Sequence, residues 1–127
     1  MNKEENKKAV EYFHAGPNNW NCAQSIVKSF QAESNMSDED IELTYRSKGG
    51  GRAEGGLCGA VYAAKQMLGE DSPEAQALQE EFRQQWGALT CKELKAEKRV
   101  PCTDTVGLAD QLLEKYLAIQ QERLAHA

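Results

Sequence analysis

Apolar residues recur at intervals of three and four along most of this chain, and no stretch alternates apolar with polar positions over a useful length. Cys22, Ala23, Ile26, Val27 and Phe30 fall on one face of a helix. Ala60, Val61, Ala63, Ala64, Met67 and Leu68 make a second apolar segment, and Ala77, Leu78, Phe82 and Trp86 a third, inward-facing one. The last and longest stripe runs through Val106, Ala109, Leu112, Leu113, Tyr116, Leu117 and Leu124. A weaker pattern at Val10, Tyr12 and Phe13 predicts a short helix over residues 3–15, closed by Gly16-Pro17. The expected fold is all-α, a compact bundle of about seven helices forming one domain over residues 1–127.

Polar residues mark where these helices start. Asn18-Asn19-Trp20-Asn21 supplies caps before Cys22, and Ser37-Asp38-Glu39-Asp40 reads as a capping box opening a helix to about Ser47. Ser72-Pro73-Glu74 combines a cap, a proline at the first helical position and an acid in the first turn, with Gly87 as the stop. Thr90-Cys91-Lys92-Glu93 is another capping box, predicting a short sixth helix that Lys98-Arg99-Val100-Pro101 interrupts. Cys102-Thr103-Asp104 opens the last helix. His14, in the last turn of the first helix, complements the dipole there.

Each of the four cysteines, Cys22, Cys58, Cys91 and Cys102, therefore lies at or just before the first turn of a predicted helix. With short loops and antiparallel neighbours, the second, fourth and sixth helices begin at the same end of the bundle. The sixth is roughly 10 Å long at the helical rise, and the four-residue link after it reaches about 13 Å if extended. Cys102 can thus rejoin the others. Four thiols facing helix N–H groups make a pocket for thiol–disulfide exchange or for a metal centre with four sulfur ligands. The opposing reading is that they are small buried hydrophobes, Cys22 above all because it sits on an apolar stripe.

Half of the ten glycines lie between Gly49 and Gly56, directly before Cys58. Such a loop running into a helix places Cys58 at the positive end of the helix dipole, where a thiol tends to have its pKa lowered. The candidate loop site comprises Gly49, Gly50, Gly51, Arg52 and Gly56. Its N–H groups could cradle an anion with help from Lys48 and Arg52, but no Walker pattern and no preceding strand accompany it. The alternative is a crossover that brings backbone close to Cys58.

Composition narrows the classes. A net charge of −5 argues against nucleic acid and against anionic membranes. No window approaches a membrane span, and Met1-Asn2-Lys3-Glu4-Glu5 opens a charged segment rather than a secretory signal, so the expectation is a cytoplasmic protein with mostly reduced thiols. There is no CxxC pair, and two histidines leave little for a Ser–His–Asp or HExxH arrangement. The acidic residues are expected on solvent faces, and Trp20, Phe30, Phe82 and Trp86 in the core.

Asn21-Cys22-Ala23-Gln24, Gly49-Gly50-Gly51-Arg52, Gly56-Leu57-Cys58-Gly59-Ala60-Val61-Tyr62-Ala63 and single cysteines at 91 and 102 together resemble the C_GCAxxG_C_C family of redox-active proteins. The resemblance covers roughly residues 10–110, and it departs from the motif at Ala63, where the pattern ends in glycine. It implies a site of Cys22, Cys58, Cys91 and Cys102 with redox or metal–sulfur chemistry. In the metal version all four thiolates bind an iron–sulfur cluster or zinc. In the dithiol version Cys58 attacks, and Cys91 or Cys102 resolves. The redox partner protein is not identified by the sequence, and a homo-oligomer is left open. The competing class is a non-enzymatic helical partner-binding module with structural cysteines, and a weaker one is an anion sensor built on the glycine loop.

Overall fold

A computed structural model describes residues 9–13, 20–48, 56–94, 100 and 102–125; the side chain of Cys102 lies outside it. The described residues form an all-α fold of five helices of eight residues or more, not about seven. These are α1 (Cys22–Ser29), α2 (Asp38–Tyr45), α3 (Gly59–Leu68), α4 (Pro73–Trp86) and α5 (Cys102–Ala125). Two of the expected helices are described only in part. Ala9–Tyr12 is a single turn among the described residues, and the segment after Thr90 makes one irregular turn through Leu94. The remainder of both, with His14, lies outside the described residues. A further single turn, Gln31–Ser34, follows α1 because Phe30 leaves helical geometry and Asn35 enters the left-handed region at φ 57°.

The caps form largely as the polar residues dictate. Asn21 accepts from the Gln24 N–H while the Gln24 side chain accepts from the Asn21 N–H, a reciprocal capping box. Ser37 accepts from the Asp40 N–H, and Ser72 from the Ala75 N–H. Gly87 ends α4 at φ 75°, a conformation that costs glycine nothing.

Helix α3 is the centre of the packing, touching α1, α4 and α5. Its buried face is Gly59, Ala60, Val61, Ala63, Ala64 and Leu68. Small residues let three neighbours approach one helix closely, and Ala63, where the family pattern has glycine, is fully buried within that packing. Around it Ile26, Val27 and Phe30 of α1, Leu78 and Phe82 of α4, and Val106, Ala109 and Leu113 of α5 close the core. Within α4 the small inward residue is Ala75 rather than Ala77, and Trp86 is only half-buried. Leu124, expected on the apolar face of α5, is 58% exposed.

Two acidic residues overturn the expectation that carboxylates sit on solvent faces. Glu74 is 4% exposed and holds Arg123 through two bonds of 2.8 Å. Asp110, also 4% exposed, accepts the Ala9 N–H at 2.7 Å and anchors the N-terminal turn to α5. Buried carboxylates persist where donors replace the lost water. Gln120 extends the first anchor, donating to the Leu68 carbonyl at 2.7 Å and to Glu74 at 3.2 Å, so the ends of α3, α4 and α5 are fastened together.

Candidate functional site

Cys22 opens α1, and its place is set by Asn21. Besides capping α1, the Asn21 amide donates to the carbonyls of Tyr45 and Arg46 at 3.3 and 2.9 Å. Those carbonyls belong to the end of α2, so one side chain joins the start of α1 to the end of α2. Cys22 is left 7% exposed in the core.

Cys58 is the residue before α3, in extended conformation at φ −54°, ψ 129°. It is 4% exposed. Its N–H donates to the Leu89 carbonyl at 2.9 Å, and Leu57 pairs with Thr90 in an isolated antiparallel bridge. The bridge begins just after Gly56, whose φ of +74° suits glycine and strains any other residue. In this antiparallel pairing Cys58 stands opposite Leu89 and Cys91 opposite Gly56, on either side of the Leu57–Thr90 rung, so the two cysteines sit on neighbouring segments. Cys91 is half-buried. Thr90 caps the turn that follows, accepting from the Glu93 N–H at 3.3 Å.

Three elements meet at the Cys58 sulfur. Cys22 lies close enough that charges on the two thiols would repel, and the Thr105 hydroxyl hydrogen-bonds to Cys58 from the first turn of α5. Thr105 is itself 3% exposed. It stands one turn after Cys102, so the backbone of Cys102 starts the turn that reaches Cys58.

The sequence predicts a lowered thiol pKa at Cys58; the structure reverses it. Burial, with the neighbouring Cys22 adding to it, pushes the Cys58 thiol up from 9.0 to about 12. The N–H groups of Ala60 and Val61 and the Thr105 hydroxyl favour the thiolate, yet they do not offset the loss of water. Cys58 is held as a neutral thiol.

The other expected participants divide differently. Gly49, Gly50, Gly51 and Arg52 lie outside the described residues. Lys48, at the described edge of that loop, places its ammonium 5.3 Å from the centre of the Tyr62 ring, a cation–π contact. Thr105 and the double role of Asn21 were missed by sequence reasoning. The signal for Thr105 was its i+3 spacing from Cys102; that for Asn21 was its position directly before Cys22.

Zinc and iron–sulfur centres need three or four converging thiolate or imidazole ligands. Among the described residues no three His, Cys, Asp or Glu side chains come together closely enough to hold a metal ion. The described donors, among which the Cys102 side chain is not counted, do not by themselves fit a metal centre. No helix among the described residues is long and apolar enough to cross a membrane.

A family model described as "Putative redox-active protein (C_GCAxxG_C_C)" matches residues 20–116, well over half of the chain. No curated protein and no solved structure matches. The matched span takes in all four cysteines, the Leu57–Thr90 bridge and the first turn of α5. This chain belongs to the C_GCAxxG_C_C family.

Proposed function

We propose that this chain is a redox protein whose four cysteines exchange electrons with a partner as thiols and disulfides. The observation that carries the reading is the meeting of Cys22, Cys58 and Thr105 in one buried place beside the segment that bears Cys91. The family description supports the redox class. In this reading Cys91 rather than Cys58 makes the first attack, because a thiol held neutral by burial attacks slowly.

Cys91, half-buried, is the entry thiol. Its thiolate attacks a disulfide of the partner, forming a mixed disulfide and releasing one partner thiolate. Cys58 then attacks the Cys91 sulfur, and its proton passes to the second partner thiolate as that group is expelled. Two protein thiols become one disulfide, and the partner disulfide becomes two thiols. Cys22 stands beside Cys58 to accept the disulfide in a further exchange, and Cys102 is the remaining thiol of the set.

Anaerobic purification, metal analysis and thiol titration test this reading. A colourless, metal-free protein with four titratable thiols, two of which disappear on adding oxidised glutathione, supports it. A stoichiometric metal with a visible charge-transfer band overturns it in favour of a metal–sulfur centre. If Cys58→Ala and Cys91→Ala leave the exchange unchanged, the cysteines are packing residues and the helical-module reading takes over.

A further inference from the structure

At the end of α3 opposite Cys58, a cavity of about 470 Å³ lies between the turn Gln31–Ser34, the end of α2, the end of α3 and the outer half of α5. A ten-residue helix is about 15 Å long, so this space is separate from the thiols. Its apolar walls are Met36, Met67, Leu117 and the ring of Tyr45. The rest of the described lining is amides, one hydroxyl and a single carboxylate, Glu33; no lysine, arginine or histidine is among the described lining residues. One oxygen of that carboxylate, Oε2 of Glu33, is shielded from solvent and has no hydrogen-bond partner among the described residues.

We propose that this cavity binds a small organic cation, a primary ammonium attached to an apolar body. A shielded carboxylate oxygen without a donor is costly, and a ligand ammonium supplies that donor together with the opposite charge. The volume falls in the range of small-molecule sites. Two thioethers and an aromatic ring suit the apolar body, because sulfur and π surfaces are polarisable and the ring face attracts a cation. Among the described lining residues the other acidic group is the Tyr45 phenol, whose pKa burial raises, so Tyr45 is a neutral surface at ordinary pH. Among the described lining residues anions find no counter-charge.

Benzylammonium is the probe, with benzyl alcohol as its neutral match and benzoate as its anionic one. Binding is followed on the full chain by the methyl signals of Met36 and Met67 in NMR. The expected result is saturable shifts of both methyls with benzylammonium, at least about ten-fold weaker binding of benzyl alcohol, and no binding of benzoate. Glu33→Gln keeps the shape of the site and should weaken benzylammonium by about ten-fold or more, and Leu117→Phe should block it while leaving the circular dichroism unchanged. Equal binding of the amine and the alcohol, binding indifferent to Glu33→Gln, or no shift at millimolar amine would each overturn the proposal. Loss of the cysteine exchange chemistry would leave all of these readouts in place.

Discussion

Cys58 donates its backbone N–H to the carbonyl of Leu89 at 2.9 Å, and with the Leu57–Thr90 bridge this bond brings the second and third cysteines of the chain onto adjoining segments. The pairing is outside any helix. It gives the site a second anchor besides the helix starts.

The order in which the thiols react follows from their exposure. At pH 8, iodoacetamide should label Cys91 well before Cys22 or Cys58, which are 7% and 4% exposed. Mass spectrometry of the labelled peptides over time checks this. Early labelling of Cys58 would mean that its segment opens readily.

Cys58 also couples folding to alkaline pH. The folded chain keeps the Cys58 proton up to about pH 12, whereas an unfolded thiol loses it near 9.0. The stability from this group is therefore present below pH 9 and is lost as pH rises toward 12. Urea midpoints measured across that window should fall more steeply for the natural chain than for Cys58→Ala. Parallel curves would remove the coupling.

Thr105→Val removes the hydroxyl that favours the Cys58 thiolate and nearly preserves volume. The first exchange at Cys91 should keep its rate, while resolution of the mixed disulfide slows several-fold. Stopped-flow kinetics of mixed-disulfide decay reads the two phases separately. An equal fall in both would assign Thr105 to packing alone.

Asn21 acts through both ends of its amide, so two substitutions should differ. Asn21→Ala loses the α1 cap and the bonds to Tyr45 and Arg46, costing about 1–3 kcal/mol. Asn21→Asp keeps the cap acceptor and loses only the donors, so its loss is smaller. Urea unfolding with an unchanged m-value measures both, and a ranking with aspartate worse would contradict the double role.

Glu74 predicts an acid-sensitive fastening. The Arg123 guanidinium, helped by Gln120, holds its carboxyl down from 4.5 to about 2. Its contribution is present above pH 4.5 and is lost as pH falls toward 2. Glu74→Gln should flatten that part of the stability curve, as followed by thermal melts between pH 6 and 2. A curve as steep as that of the natural chain would place the acid sensitivity elsewhere.

Much of the fold was legible in the sequence. The caps at Asn21, Ser37 and Ser72, the stop at Gly87 and the apolar faces of α1 and α5 depend on residues within about four positions of one another. Of the predicted sixth helix only the first turn, through Leu94, lies among the described residues, with the Val100 N–H bonded to the Leu94 carbonyl at 2.8 Å. Glu74 and Asp110 read as surface acids because their partners, Arg123 and the Ala9 N–H, lie 49 and 101 residues away.

The sequence by itself determined that the chain is helical, that its cysteines stand at helix starts and that they follow the family spacing. Only the tertiary structure decided that Cys22, Cys58 and Thr105 share one buried place and that Cys58 is a neutral thiol. Periodicity and caps are local properties of the chain. Desolvation depends on which distant segments displace water around an atom, and at Cys58 that displacement outweighs the helix end beside it.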